Sequence, residues 1–148
     1  MAYRSYRLGL RAFLRMGWPD RLQVLGIVAT ASVVEAGLRT IKLPTLARLL
    51  GVTVDFRSGG LARPLDEPLP DPLRRRISLV RTVLAYSPSE PTCLRSSLVC
   101  ARVLRAVRPT VRIGVARVDG EVKAHAWVEL AGRSIDPVAV EFVPVRFG

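Results

Sequence analysis

The sequence predicts an α+β fold in which a helical region precedes a further helix and an antiparallel sheet. Apolar residues recur at helical spacing between Asp20 and Val34, and again from Cys93 to about Val107. After Pro109 their spacing changes to the alternation that is typical of strands. Asp119-Gly120, the strongest short hairpin signal, lies between two alternating segments. Helices followed by paired strands indicate an α+β architecture.

The first part of the chain, residues 1 to about 50, is predicted to be helical. Pro19-Asp20 marks the start of the main helix, with Asp20 as its N-cap. Because this helix is apolar around most of its circumference, we expect it to be buried on several sides. A break at Lys42-Leu43-Pro44 precedes a short helix, Leu46 to Leu50, which ends at Gly51.

Residues 52–72 are predicted to be a linker, because Gly59-Gly60 and several prolines are concentrated there. Helical spacing resumes over Leu73–Tyr86. The predicted organisation is therefore an N-terminal helical region with a Pro-rich linker over residues 1–72 and a core over residues 73–148. We expect the two to form one compact unit.

A helix and three strands are predicted to make up the core. Thr92 is the expected N-cap of the helix that begins at Cys93. Three of its arginines are expected nearer solvent, namely Arg95, Arg102 and Arg105. The strands that follow are expected to contain Val111–Val115, Val122–Leu130 and Arg133–Asp136.

The net charge of +11 lacks the pattern that is typical of nucleic-acid binding. The cations spread from Arg4 to Arg146, and aromatic residues, which would stack on bases, make up only 6% of the chain. We therefore expect no nucleic-acid partner and a salt-sensitive attraction to acidic partners. A series of N-terminal arginines forms either a solvated helix face or a basic helix in weak contact with a membrane surface or a partner: Arg4, Arg7, Arg11 and Arg15.

The scarce residue types restrict the chemistry more than the common ones do. With one His and two Cys, no zinc site of the usual Cys/His kind can form, and we expect neither metal nor cofactor. The chain has no Asn, which excludes a Cys-His-Asn protease, and any catalysis by histidine must use His125. Two cysteines without a secretory signal predict a reducing, cytoplasmic location.

The two cysteines are predicted to have different roles. Cys93 lies in the first turn of its helix, where backbone amides and the helix dipole favour a thiolate. Cys100 follows two turns later, roughly 10 Å along the axis, which is too far for a disulfide with Cys93. Among apolar neighbours, Cys100 is expected to be a small core residue.

The register of the predicted hairpins places a base and an acid side by side. If Ala131-Gly132 forms the second turn, Asp136 lies diagonal to His125 on one face of the sheet, roughly 7–8 Å away between backbones. Gly114 lies opposite His125 and leaves the space above the ring open. Asp136 can then orient the imidazole while its other nitrogen faces Cys93, as in a triad of nucleophile, base and orienting acid.

The oxyanion of such a reaction requires hydrogen-bond donors. Without Asn, the expected donors are backbone N–H groups at the start of the Cys93 helix. The indole N–H of Trp127 is the alternative, although we expect Trp127 to pack beside His125.

These residues resemble a known family. The relevant segments are Cys93-Leu94-Arg95-Ser96-Ser97-Leu98, Ile113-Gly114-Val115 and Ala124-His125-Ala126-Trp127-Val128-Glu129, followed by Gly132 and Asp136. They are similar to the transglutaminase-like leader peptidases of lasso-peptide biosynthesis, the standalone protease halves of that family's split B protein. The similarity is strongest from about Pro91 to Pro137 and looser in Asp20-Arg21 and Val34-Glu35-Ala36. Val122-Lys123 stands where the family often has Phe.

The resemblance implies a papain-like fold of the transglutaminase type, with a Cys-carrying helix packed on an antiparallel sheet. It implies a Cys-His-Asp triad, carried over here to Cys93, His125 and Asp136. It also implies a cysteine peptidase that cleaves the leader from a ribosomally made lasso-peptide precursor, before a separate ATP-dependent cyclase closes the core. Because fused members carry a leader-recognition domain and this sequence has no room for one, a separate leader-binding protein is the expected partner.

Two other functions are compatible with the sequence. The same triad could transfer the acyl group to an amine instead of water, since the outcome depends on which acceptor reaches the acyl-enzyme. Alternatively, the chain is a non-catalytic basic binding module in which Cys93 and His125 are structural. Replacement of Cys93 by alanine distinguishes the enzyme from the binding module.

Overall fold

The helices of the chain come before its paired strands, as the sequence pattern predicts. A computed structural model describes residues 11, 13–55, 62–87, 89–90, 92–137, 139 and 142–144. In chain order the elements are α1 (Trp18–Thr40), α2 (Leu43–Leu50), β1 (Thr53–Asp55), α3 (Asp71–Ala85), α4 (Cys93–Val103), a 3-10 turn (Arg105–Val107), β2 (Thr110–Val118), β3 (Glu121–Leu130), β4 (Arg133–Ser134) and β5 (Val143–Pro144). This mixed architecture confirms the predicted α+β class.

Helix α1 begins two residues before its predicted N-cap. Gly17 has the extended backbone of an N-cap residue, and Pro19 fits the first turn because the N–H that it lacks has no partner there. Asp20 therefore lies within the first turn and is not the cap. Its carboxylate is well placed against the positive end of the helix dipole and accepts hydrogen bonds from Arg75 of α3.

Only one side of α1 is buried, so the prediction of burial on several sides was wrong. Ile27, Ala31 and Val34 pack into the main core. Gly37 lies so close to Leu46 of α2 that a β-carbon on it would clash with the leucine side chain. Large apolar side chains on the other side are exposed: Trp18, Leu22, Leu25, Val28 and Val33. By length and composition alone, α1 is the one helix of the described residues that could cross a membrane.

The N-terminal arginine series lies mostly outside the described residues. Arg4 and Arg7 are not described, whereas residues 11 and 13–15 are helical. Arg11 and Arg15 are exposed, and Leu14 between them also exposes its side chain. The described end of this segment is therefore a solvent-facing helical turn that precedes α1.

Part of the predicted linker is a strand, so that prediction was wrong over Thr53–Asp55. Strand β1 pairs in parallel with β2, with Thr53 opposite Thr110. Further along the same segment, Pro64 forms an isolated bridge with Ser134. A three-residue strand is too short to show alternation, and the glycines and prolines beside it dominate the sequence pattern.

The strands form one sheet in the order β1-β2-β3-β4, and β5 also pairs with β2. The hairpin turn at Asp119-Gly120 has positive φ at both residues, as a type I′ turn requires. The resulting register places Gly114 opposite His125, as predicted. Leu130 pairs with Arg133 as predicted, but β4 is shorter than expected and Asp136 lies beyond its end.

One hydrophobic core joins all four helices to the sheet. Leu98 and Val99 of α4 pack with Val111 of β2 and Val128 of β3. A second, smaller cluster contains Ala62, Trp127, Ala139 and Phe142. Helices from both sides of residue 72 thus share one core with the sheet. The division of the chain at residue 72 stays a prediction.

Candidate active site

A cavity of about 130 Å³ lies between α3, α4 and the end of the sheet. Its lining includes Cys93, His125 and Asp136, the three residues of the predicted triad. Ile77 and Val80 of α3 supply apolar walls. The fold therefore brings together three side chains that come from a helix, a strand and the segment after a second strand.

Cys93 is the first residue of α4 and lies half-buried at this cavity. Thr92 caps the helix, because its hydroxyl accepts a hydrogen bond of 3.3 Å from the backbone N–H of Arg95. This cap confirms the predicted start of the helix. The amides of Cys93 and Leu94 precede the capped amide and belong to the set that a helix leaves without intrahelical acceptors. Such a helix end stabilises negative charge.

A buried hydrogen bond fixes α4 against the strand that carries His125. The Ser97 hydroxyl, one turn after Cys93, donates to the carbonyl of Ala126 at 2.9 Å. Ala126 is the residue after His125, so this bond sets the position of the helix that carries Cys93 relative to the histidine. The sequence pattern gave no indication of this bond.

The predicted contact between His125 and Asp136 is present. His125 Nε2 lies 2.8 Å from Asp136 Oδ2, and both side chains are largely buried. Ser134 holds the aspartate segment in place: its hydroxyl accepts a hydrogen bond from the Asp136 N–H at 3.0 Å and donates to the Asp136 carbonyl at 2.8 Å. Sequence reasoning missed this role of Ser134, although a serine two residues before an aspartate is typical of a local turn of this kind.

This geometry determines which imidazole nitrogen is left for chemistry. When Nε2 carries the proton and donates it to Asp136, Nδ1 is the unprotonated acceptor of the neutral ring. Asp136 thus selects the tautomer in which Nδ1 of His125 can accept a proton from a thiol at the shared cavity. Nucleophile, base and orienting acid remain the predicted roles of Cys93, His125 and Asp136.

Two aromatic side chains pack on the His125 ring. Trp127 is stacked at 6.3 Å between ring centroids, and Phe142 is tilted against the imidazole at 4.9 Å. The indole N–H of Trp127 donates to Glu129 at 3.0 Å, so this bond occupies the donor that was the alternative for the oxyanion. Trp127 packs beside His125, as expected. Phe142 was not predicted, because nothing in the local pattern indicates that its segment returns to the site.

A largely buried charged network connects three neighbouring strands, β1, β2 and β3. Arg112 of β2 donates to Asp55 of β1 at 3.0 Å, and its Nε lies 3.8 Å from Glu129. Glu129 accepts the indole bond of Trp127. The network therefore links the short strand β1, which the sequence did not predict, to the residue that stacks on the histidine.

The buried position of Arg95 corrects the prediction that it lies near solvent. Only 4% of Arg95 is exposed. Its guanidinium donates to the Ser87 hydroxyl at 2.9 Å and to the Ser89 carbonyl at 3.2 Å, and lies 3.3 Å from Glu35 of α1. A cation two residues after Cys93 therefore anchors the loop that leads into α4. A buried guanidinium can be accommodated when several acceptors meet it, and helical spacing alone could not show them.

Cys100 has the core position that was predicted for it. It is buried and, like Cys93, is a free thiol. Burial raises the pKa of the Cys100 thiol to about 11, against a smaller opposing effect of Arg81. The described residues contain no group of three or more side chains suited to hold a metal ion.

Comparison with known proteins identifies the domain. A model of the family described as the transglutaminase-like superfamily matches residues 37–145, from the end of α1 to the segment after β5. No curated protein and no solved structure has a significant match to the chain. The matched region includes every residue of the cavity.

Proposed function

The chain belongs to the transglutaminase-like superfamily, and from this premise we propose that it is a cysteine peptidase with Cys93, His125 and Asp136 as its catalytic triad. The observation that carries the proposal is the single cavity that contains all three side chains, with His125 already hydrogen-bonded to Asp136. Members of such a superfamily share a fold and a cysteine-based site, so the choice between peptidase and transferase rests on further arguments.

The substrate we propose is a ribosomally made lasso-peptide precursor, cleaved between leader and core. The support is the resemblance over Pro91–Pro137, which includes the residues on both sides of Cys93 and His125. A separate leader-binding protein would present the precursor, and the lasso cyclase would act on the released core. The basic character of the chain suits an acidic peptide or partner.

In the first step, Nδ1 of His125 accepts the thiol proton of Cys93. Asp136 holds the opposite ring nitrogen at 2.8 Å and stabilises the imidazolium that forms. The thiolate is produced at the N-terminus of α4, where the helix dipole favours it. The aromatic contacts of Trp127 and Phe142 restrict the ring to one orientation.

The thiolate then attacks the last carbonyl carbon of the leader. The carbonyl oxygen becomes an oxyanion, for which the backbone N–H of Cys93 is the nearest donor in sequence at the helix start. Collapse of the tetrahedral intermediate breaks the peptide bond, and His125 transfers its proton to the departing amine of the core. The leader remains attached to Cys93 as a thioester.

Water completes the reaction. Neutral His125 takes a proton from a water molecule, which attacks the thioester carbonyl, and returns the proton to the Cys93 sulfur as the leader acid leaves. The products are a leader with a free carboxylate and a core with a free amine. A core of this kind is the substrate that a cyclase requires.

Product masses from a reconstituted reaction test this proposal. The purified chain is mixed with the precursor and the leader-binding protein that we expect to be encoded beside it. We expect one leader fragment and one core fragment, whose masses together exceed that of the precursor by one water. Cys93→Ala should abolish cleavage, whereas Cys100→Ala, the matched control on the same helix, should retain it.

Other outcomes identify the other functions. A product whose mass corresponds to an amide bond between the leader and an added amine would indicate acyl transfer in place of hydrolysis. Full cleavage by Cys93→Ala would contradict the proposed nucleophile. An uncut precursor in a stable complex, with wild type and Cys93→Ala binding equally, would indicate a non-catalytic binding module.

A further inference from the structure

The exposed face of α1 carries no charged side chain from Trp18 to Ala36. Its exposed residues are Trp18, Pro19, Leu22, Gln23, Leu25, Gly26, Val28, Ala29, Ser32, Val33 and Ala36. This face, which we call the outer face of α1, extends over about 27 Å by helical rise. Isolated exposed leucines are ordinary on proteins, whereas a long uncharged strip rich in apolar residues is a candidate contact surface.

The three charged residues of α1 between Trp18 and Ala36 have partners elsewhere in the protein. Asp20 accepts hydrogen bonds from Arg75, and Arg21 donates to backbone carbonyls before the helix. Glu35 pairs with Arg95 and Arg39. The outer face of α1 is therefore uncharged along its whole length. Exposed cations bound it, Arg15 before it and Arg39 after it.

A basic groove borders the outer face. A cavity of about 270 Å³ lies between α1, α3 and the end of α4, and Gly26 and Thr30 of α1 line it. Its lining also includes three arginines, Arg76, Arg102 and Arg105, and none of its described lining residues is acidic. Guanidinium groups arranged in this way suit the oxygens of a phosphate, which they can bind with two hydrogen bonds each.

A second copy of the chain fits this surface poorly. Each copy has a net charge of +11, so close approach of two copies is opposed by repulsion. A single helix face about 27 Å long and about 10 Å wide offers roughly 300 Å², whereas a stable interface needs about 800 Å² from each partner. An anionic surface, in contrast, complements both the groove and the net charge.

We propose that the outer face of α1 docks on an anionic phospholipid surface. Trp18, Leu22 and Leu25 would lie at the boundary between headgroups and acyl chains, while arginines of the groove bind headgroup phosphates. A straight helix with an aromatic residue at one end and arginines at both ends is typical of interfacial helices. The other side of α1 remains in the protein core, so the helix lies on the membrane and does not cross it. This proposal is independent of the proposed catalytic activity.

Vesicle flotation with the full chain tests the docking. We expect binding to vesicles of phosphatidylcholine with phosphatidylglycerol, little binding to phosphatidylcholine alone, and loss of binding as salt is raised. Leu22→Glu with Leu25→Glu should weaken binding at least about a hundredfold, because each leucine contributes roughly tenfold or more. Leu49→Glu, at a leucine of α2 that is even more exposed than these two, should change it little.

Tryptophan fluorescence gives a second readout. The chain has two tryptophans, of which Trp18 is 70% exposed and Trp127 only 1%. Anionic vesicles should therefore shift the emission of wild type to shorter wavelength and leave that of Trp18→Phe unchanged. Cys93→Ala should behave as wild type in both assays, which separates this proposal from the catalytic one.

Four results would overturn the docking proposal. Absence of binding to anionic vesicles rejects it, and so does binding that Leu22→Glu with Leu25→Glu leaves intact. A dimer in solution that these substitutions convert to monomer would show that a second copy covers the face. Protection of the face by the leader-binding protein, without vesicle binding, would assign it to that partner.

Discussion

Helix α4 carries two cysteines whose surroundings differ, one in its first turn and one two turns later. Both cysteines line the cavity that contains His125 and Asp136, but Cys93 begins the helix, beside uncapped amides, and is only half-buried. Cys100 lies two turns later among the core residues, and burial raises the pKa of its thiol to about 11. Position along a helix, and not residue type alone, changes the surroundings of a thiol and with them its expected reactivity.

The first prediction removes the base that distinguishes the two thiols. His125→Ala should lower the cleavage rate by about 10³-fold or more, because Cys93 then has no proton acceptor. Asp136→Asn, which changes the tautomer of His125 and leaves its ring in place, should lower the cleavage rate by roughly 10²–10⁴-fold. Initial rates with the reconstituted precursor measure both effects. Equal rates for wild type and His125→Ala would show that His125 is not the base.

The second prediction compares the reactivity of the two thiols directly. With iodoacetamide at pH 8, Cys93 should be alkylated at least about a hundred times faster than Cys100, since a thiol with a pKa of about 11 is only about 0.1% ionised there. Peptide mapping by mass spectrometry measures the two rates in the folded protein. Unfolding in guanidinium serves as the control and should make the rates similar.

The third prediction concerns the buried cation beside the nucleophile. Arg95→Met should lower the free energy of unfolding by about 3 kcal/mol, because it leaves the partly buried carboxylate of Glu35 with less compensation and frees the loop before α4. Arg105→Met, on the exposed 3-10 turn, should change it by less than about 0.5 kcal/mol. Urea unfolding measures both. Equal stability of the two variants would show that the Arg95 contacts do not hold this loop.

The smallest expected effect is a loss of folding stability at alkaline pH. Below pH 9 the Cys100 thiol keeps its proton in both the folded and the unfolded state. Above pH 9 the thiol ionises in the unfolded chain, while the folded protein, in which its pKa is about 11, still holds the proton. The free energy of unfolding therefore falls as pH rises from about 9 to about 11. The loss attributable to this thiol should reach about 2 kcal/mol. Cys100→Ala should remove that part of the pH dependence, and Cys93→Ala should not. Parallel curves for wild type and Cys100→Ala would contradict the assignment.

The relation between His125 and Asp136 was predictable because two short turns determine it. Asp119-Gly120 and Ala131-Gly132 both adopt the positive φ values that two-residue hairpins need, so the strand register follows from counting. The cap at Thr92 was predictable for a similar reason, since helix starts carry local signals.

The contacts that depend on distant segments were not predictable. The short strands β1 and β5 have no period that a pattern could reveal. The burial of Arg95 depends on Glu35 and on the loop at Ser87, and the ring of Phe142 reaches His125 only through the path of the chain after the sheet. Helical and strand periodicity describe one element at a time, and these contacts join several.

The most direct test of the central claim is to identify the atom that the substrate modifies. A leader peptide that ends in a chloromethyl ketone is incubated with the full chain and the leader-binding protein, and the modified residue is mapped by mass spectrometry. The account predicts one adduct, on Cys93, and none in Cys93→Ala. An adduct on Cys100, or an equal adduct in Cys93→Ala, would contradict it.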